Sequence, residues 1–149
     1  MDTSNAITIT VDAPSVGGLV TMDDTVCAGA NGAVLSLAGQ TGNVTGWEYS
    51  QDGGVTWLNV ANTSTMQGYT NLNTTTMYRV RVANGVCPST TSDTATITVD
   101  PAVIAGTVSG NATVCATANA GSLNVAGTSG SIVSWEISTD GGLTWIPNG

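Results

Sequence analysis

The chain of 149 residues carries ten acidic and two basic side chains, which gives a net charge of −8, and it has no histidine. Because Arg79 and Arg81 are the two basic residues, the sequence supplies no histidine or lysine for acid–base, nucleophilic or Schiff-base catalysis, and no histidine to ligate a metal. Two cations cannot neutralise a phosphate backbone, so we expect no nucleic-acid partner, and without a run of 18 apolar residues we expect no membrane insertion.

Threonine- and valine-rich segments separated by Gly, Asn and Asp predict an all-β protein, since no stretch has helical periodicity. In chain order the predicted strands cover residues 18–21, 33–38, 44–50, 55–60, about 65–70, 77–83 and 95–99. The alternation in 77–83 places Tyr78, Val80 and Val82 inward and both arginines outward. Seven short strands predict immunoglobulin-like β-sandwich domains.

An internal repeat is the strongest feature of the sequence. Residues 2–61 align without a gap to residues 90–149, 88 positions later, with 27 identities in 60 pairs. We therefore predict tandem domains within a longer array. Residues 1–12 would be the last strand of a preceding repeat, 13–100 a complete repeat, and 101–149 an incomplete one.

The three cysteines follow this repeat. Cys115 is the counterpart of Cys27, and Cys87 lies in the same repeat as Cys27. We predict a Cys27–Cys87 disulfide, which would place the protein outside the cytosol, with Cys115 left unpaired. The alternative is two separate buried thiols. The spacing fits no zinc pattern, so we expect neither a metal nor a cofactor.

A duplicated hairpin motif resembles the Asp box of sialidase propellers, where its role is structural. Its residues are Ser50, Asp52, Gly54, Thr56 and Trp57, and their counterparts Ser138, Asp140, Gly142, Thr144 and Trp145. We expect the aspartate to accept hydrogen bonds from turn amides and the glycines to allow positive φ. The alternative is a calcium or glycan contact at Asp52.

The segment from Leu72 to Tyr78 resembles the fibronectin type III pattern, and Trp47 resembles the core tryptophan of such sandwiches. This resemblance implies that Tyr78 forms a tyrosine corner, in which its hydroxyl bonds back to the backbone. We expect all three of these side chains to pack in the core.

The repeat as a whole resembles the Ig-like repeats of large Bacteroidota surface proteins, including gliding-motility adhesins and cargo of the type IX secretion system. The matching elements include Thr-Val-Cys, Trp-Glu-x-Ser-x-Asp-Gly-Gly-x-Thr-Trp and Asn-Gly-Val-Cys. The resemblance implies a secreted protein at the bacterial cell surface whose partners are neighbouring repeats, with surface glycans or other cells as further candidates. Thr25 and Thr94 then resemble the Asp-Ser/Thr-aliphatic O-glycosylation site of Bacteroidota, although both also suit ordinary turns and strands.

The function predicted is a non-catalytic stalk, filament or adhesin segment. Glu48 and Asp52 form a carboxylate pair like those of glycosidases, but their duplication as Glu136 and Asp140 fits repeated architecture better than an active site. We expect Glu48 to form an exposed ion pair with Arg79 or Arg81. The alternatives are a ligand- or glycan-binding module, and a fibre subunit that assembles by strand complementation.

Overall fold

The regular structure is entirely β in the computed structural model, which describes residues 4–21, 23–117 and 119–148. The chain divides into two compact units, Met1–Pro101 and Ala102–Gly149. Within the described residues, no helix has the length and apolar character needed to cross a membrane. The prediction of an all-β fold is confirmed.

In the described residues of the first unit, nine strands form two sheets. The strands are β1 (Leu19–Thr21), β2 (Asp24–Cys27), β3 (Gly32–Ala38), β4 (Asn43–Ser50), β5 (Leu58–Val60), β6 (Met66–Thr70), β7 (Thr76–Ala83), β8 (Thr90–Thr91) and β9 (Ala95–Asp100). One sheet has the order β1-β3-β6, and the other has the order β2-β9-β7-β4-β5, with β8 also paired to β7. Neighbouring strands are antiparallel, except that β2 runs parallel to β9.

Both sheets contribute to a single hydrophobic core. Leu35 from one sheet packs in the same buried cluster as Trp47, Val80, Val82 and Ile97 from the other. Alternate residues of β7 are buried, and its two arginines point away from the core, as their spacing predicts. Two sheets around one core make the unit compatible with a β-sandwich.

Each of the seven predicted strands has an observed counterpart, but β2 and β8 were not predicted. Both are short, and β2 is largely exposed. Neither therefore has the alternation of apolar and polar residues from which a strand can be recognised.

The described residues of the second unit contain four strands in two antiparallel pairs, β10 with β11 and β12 with β13. They are β10 (Thr107–Ser109), β11 (Asn124–Ala126), β12 (Glu136–Ile137) and β13 (Ile146–Pro147). The partners Thr107↔Ala126 correspond, 88 residues on, to Leu19↔Ala38 in the first unit. In the same way Glu136↔Pro147 corresponds to Glu48↔Asn59. Equivalent segments therefore pair in the same register.

Residues 4–12, the described part of the predicted N-terminal strand, are not paired in a sheet. Residues 4–12 form no β-strand, and residues 1–3 lie outside the described part. The counterpart strand β9 is held between β2 and β7, whereas residues 4–12 have no such neighbours among the described residues. A sequence suited to a strand forms one only where ladder partners are present.

Candidate functional site

The first Asp-box hairpin joins β4 to β5 through a network of short-range hydrogen bonds. Ser50 donates its hydroxyl to Asp52 at 2.7 Å and accepts the backbone N–H of Gly54 at 2.9 Å. The carboxylate of Asp52 accepts both the backbone N–H and the hydroxyl of Thr56. Trp57 closes the turn by donating its indole N–H to the Gly54 carbonyl at 2.9 Å. Gly54 has φ of 88°, which its lack of a side chain permits.

The second hairpin repeats this network between β12 and β13. Ser138 donates to Asp140 at 2.8 Å and accepts the N–H of Gly142 at 2.8 Å, while Asp140 accepts the backbone N–H and the hydroxyl of Thr144. Gly142 also has φ of 88°, but among the described residues Trp145 does not make the indole hydrogen bond that Trp57 makes to its turn. The turn is therefore specified by its own residues, since it forms alike in both units.

These hydrogen bonds stabilise the charged form of each aspartate. The Thr56 hydroxyl makes the largest contribution, ahead of the Thr56 backbone and the Ser50 hydroxyl, and the pKa of Asp52 is lowered from 3.8 to about 2. The equivalent contacts from Thr144 and Ser138 hold the pKa of Asp140 well below its ordinary value. Both carboxylates are thus fixed as anions by their own turns.

Both arginines of β7 converge on one carboxylate. Glu48 accepts Nε of Arg79 at 2.7 Å and lies 3.5 Å from Nε of Arg81. The pairing was predicted, but as an exposed one. Glu48 is instead only 8% exposed, because both arginine side chains lie beside it. The guanidinium of Arg79 also lies 3.9 Å from the ring centroid of Trp57, so it links the hairpin to the sheet.

The two carboxylates that the sequence groups as a glycosidase-like pair both have close partners in their own unit. Glu48 is neutralised by both arginines, and Asp52 has its oxygens occupied by Ser50 and Thr56. In the described part of the chain, no cluster of three or more potential ligands could hold a metal ion.

The core residues predicted from the fibronectin-like pattern are buried, but without a tyrosine corner. Trp47 is 0% exposed and donates its indole N–H to the Ser64 carbonyl at 2.8 Å, and Leu72 packs against the core. The structure assigns the Tyr78 hydroxyl no backbone partner among the described residues. Its ring lies 6.4 Å from that of Tyr69 and 6.4 Å from that of Tyr49, and burial raises its pKa.

The predicted disulfide is not formed. Cys27, Cys87 and Cys115 are free, and Cys27 and Cys115 are exposed. Cys27 lies level with Asp100 at one end of the sandwich, whereas Cys87 follows the far end of β7. The eight residues of β7 separate those ends by about 26 Å, and a disulfide requires Cα atoms within about 7 Å.

The two candidate O-glycosylation residues differ in accessibility. Thr25 lies on β2 with an exposed side chain, whereas Thr94 is only partly exposed. Asp93, which precedes Thr94, uses its carboxylate to accept the backbone N–H of Val20 at 2.6 Å. Of the two threonines, Thr25 is the more exposed.

A cluster of hydrogen bonds that was not predicted from sequence fixes the linker at residues 12–15. Asn84 donates its backbone N–H to the Ser15 hydroxyl at 2.9 Å and its side-chain amide to the Ala13 carbonyl at 2.8 Å. Asp12 accepts the backbone N–H of Val86 at 3.1 Å. We name residues 12–15 and 84–87 the linker clamp. The sequence feature that pointed to this clamp was that Asp12 recurs as Asp100, 88 residues later.

A second missed residue is Asn31. Its amide donates to the Cys27 and Leu72 carbonyls, both at 2.8 Å, and its carbonyl oxygen accepts the Leu72 N–H at 2.9 Å. Its counterpart Asn119 donates to Cys115 at 2.8 Å in the same way. The duplication of this asparagine was the signal that could have identified it.

One family model matches most of the chain. It is described as a domain of unknown function (DUF8696), and it matches residues 16–101 and 104–148. The chain belongs to the DUF8696 family. No curated protein and no solved structure matches the chain.

The two segments matched by the DUF8696 model begin 88 residues apart, the same distance that separates the Asp boxes. The matches cover both hairpins, β4 and β7. The clamp residues on the β7 side lie within the first match, whereas Asp12 and Ala13 precede it.

Proposed function

We propose that this chain is a non-catalytic segment of a tandem array of Ig-like repeats, forming the stalk of a secreted bacterial surface adhesin or filament. The assignment to a surface protein like those of Bacteroidota comes from the sequence resemblance. Neighbouring repeats are the partners that the proposal requires.

The linker clamp is the observation that carries this proposal. The residues that enter the repeat are fixed by three hydrogen bonds to the turn after β7, and Pro14 further restricts the backbone. A linker fixed to the following domain bends less than a free one. An array of such repeats would therefore be stiff and extended, as a stalk must be.

The charge arrangement and the strand order give further support. Glu48 is ion-paired with both arginines of β7, and the Asp-box carboxylates accept hydrogen bonds from their own turns. The orders β1-β3-β6 and β9-β7-β4 resemble the A-B-E and G-F-C orders of an immunoglobulin-like sandwich, with β2 and β5 as added edge strands, and this resemblance supports the proposal of Ig-like repeats.

Small-angle X-ray scattering of lengthened chains tests the stalk. One, two and three copies of residues 13–100 are inserted after Asp100 of the full chain, which repeats the natural Asp-Ala-Pro junction. A stiff array gains a constant increment in maximum dimension per copy, of at least the ~26 Å spanned by β7. An increment that shrinks with each added copy would show a flexible chain of domains and overturn the proposal.

A fibre subunit built by strand complementation is a second candidate, because two regions leave apolar side chains uncovered. Ile7, Ile9 and Val11 alternate along residues 4–12 and are 84–87% exposed. In the second unit, a cleft of about 470 Å³ is lined by residues that include Val108, Val125, Ile132 and Trp135.

Four residues of that cleft are counterparts of the buried Val20, Leu37, Val44 and Trp47. A strand donated by another copy would cover them. Light scattering over a concentration series decides this candidate. Complementation predicts a mass that rises with concentration, whereas a constant monomer mass excludes it.

A further inference from the structure

Cys27 lies beside the end of its repeat. Its Cα is the parallel-sheet partner of Asp100, and the next residue, Ala28, donates its N–H to the Asp100 carbonyl at 2.9 Å. Paired residues in a sheet direct their side chains to the same face. The exposed thiol of Cys27 therefore lies on the same face as the Asp100 side chain.

Cys87 lies beside the beginning of its repeat. Its thiol donates to the Ala13 carbonyl at 3.3 Å and lies 3.7 Å from the Asp12 carbonyl. The side chain of Asp12 reaches the same turn, where it accepts the N–H of Val86 at 3.1 Å. Cys87 is therefore held against the linker by the clamp.

Asp12 and Asp100 are the same position in successive repeats, 88 residues apart. At the junction between two complete repeats, a single aspartate would therefore occupy both the Asp100 position of the first repeat and the Asp12 position before the second. It would pair with the Cys27-type cysteine of the repeat that ends, and it would contact the turn that carries the Cys87-type cysteine of the repeat that begins. The Cys27-type residue would lie one strand spacing from this aspartate, and the sulfur of the Cys87-type residue would lie 3.7 Å from its carbonyl oxygen.

We propose that a disulfide joins successive repeats, between the Cys27-type cysteine of one and the Cys87-type cysteine of the next. This inference rests on the tandem array in the proposed function. It accounts for two cysteines at opposite ends of one unit, and it makes Cys115 the Cys27-type member of a further pair.

The bond forms by thiol–disulfide exchange with a small disulfide oxidant. One thiolate attacks the oxidant and releases one reduced thiol, and the second protein thiolate then displaces the other. The two cysteines lose two protons and two electrons in total, and the oxidant is reduced to two thiols. The resulting disulfide would fix the linker covalently in the position where the hydrogen bonds of the linker clamp already hold it.

The test uses the full chain with one copy of residues 13–100 inserted after Asp100 and with Cys115→Ser. The protein is exposed to oxidised glutathione, alkylated and cleaved with trypsin, whose target residues are Arg79, Arg81 and their copies. The first large peptide contains Cys27 of the original repeat, the middle peptide contains its Cys87 and the inserted Cys27, and the last contains the inserted Cys87.

We expect a disulfide between the first and last peptides. Cys87→Ser in the inserted copy should abolish this linkage, and Cys87→Ser in the original repeat should leave it unchanged. Unlinked peptides, a bond between the first and middle peptides, or bonds only between separate molecules would overturn the inference.

The scattering measurement on the same lengthened chain separates this inference from the proposed function. If the thiols stay free while the maximum dimension still grows by the full increment per copy, the disulfide is refuted and the stalk proposal is retained. Loss of the increment would refute the stalk. Tryptophan fluorescence of each variant, compared with the parent chain, establishes that the repeats are folded.

Discussion

At the scale of single residues, several charged side chains form hydrogen bonds or ion pairs within their own unit. Asp52 organises a turn, and Glu48 forms ion pairs with two arginines that face away from the core. The strongest interactions of these side chains are therefore directed inward, to their own repeat. One prediction concerns the protonation of Asp52, and a second concerns the charge of Glu48.

Replacing Asp52 with Asn should destabilise the first unit in a pH-dependent way. The folded pKa of about 2 lies below the ordinary 3.8, so the carboxylate contributes its full stability above about pH 4 and loses that contribution as the pH falls to about 2. The melting-temperature gap between the parent and Asp52→Asn, measured by near-ultraviolet circular dichroism, should be widest at pH 6 and close towards pH 2.

Thr56→Val provides the matched variant, because it keeps the carboxylate and removes the hydrogen bond that contributes most to its pKa. The range in which stability is lost should then move upward, towards pH 3.8. A gap between the parent and Asp52→Asn that stays the same from pH 6 to pH 2 would show that the turn does not depend on the carboxylate's charge.

Glu48→Gln should cost about 1–3 kcal/mol of unfolding free energy, since it removes the charge that two arginines share in a largely buried position. Glu136→Gln is the control, because Glu136 is the exposed counterpart in the second unit and should change stability by less than about 0.5 kcal/mol. Urea unfolding measures both, and equal effects would contradict a role for the ion pairs.

At the scale of elements, the same hairpin sequence folds in two different settings. Trp47 on β4 is 0% exposed in the complete sandwich, whereas its counterpart Trp135 is 36% exposed. The Asp-box turn nevertheless has equivalent hydrogen bonds in both units. Local turn formation is thus independent of core burial.

Trp47→Ala should destabilise the first unit by about 3–5 kcal/mol, because it removes a fully buried side chain and its bond to Ser64. Trp135→Ala is the matched change and should cost about 1 kcal/mol or less. Denaturant unfolding followed by circular dichroism compares them. Similar losses would mean that the second unit has a packed core of its own.

The strands with strong alternation could be predicted from sequence, because periodicity reports burial directly. The outward direction of Arg79 and Arg81 was predictable for the same reason. The pairing of Cys27 with Cys87 was wrong, because strand positions along the sequence do not show which end of the sandwich a loop occupies. Residues 4–12 have a strand sequence but no strand, since pairing depends on partners outside the segment.

The linker clamp could not be predicted from residue type alone. Asp12, Ser15 and Asn84 are ordinary loop residues, and their contacts join positions about 70 residues apart. The Asp box was predictable because its contacts are between near neighbours in sequence.

At the scale of the whole molecule, the excess of acidic over basic residues controls self-association. The net charge is −8 and the sequence pI is about 4.1. Like-charged copies repel one another at neutral pH, and this repulsion disappears near the pI. The apolar cleft of the second unit is then free to form contacts between molecules.

Self-association should therefore rise sharply as the pH is lowered from 7 to about 4. Dynamic light scattering at both pH values measures it. Trp135→Ser, which removes an apolar side chain that lines the cleft, should reduce the association, and Val55→Ser on the exposed Asp-box turn is the control. Association that is equal at pH 7 and pH 4 would exclude charge repulsion as the cause.

The parallel pairing of β2 with β9 has a mechanical consequence. In sequence, β2 lies near the beginning of the repeat and β9 at its end. Asp24–Cys27 of β2 pair in parallel with Ile97–Asp100 of β9. Tension applied to both termini pulls the two strands in opposite directions along their length, so their hydrogen bonds are loaded in shear. The bonds must then rupture together, whereas a hairpin pulled open at one end loses them singly. A repeat of this design would resist stretching most strongly along the direction in which a stalk carries its load.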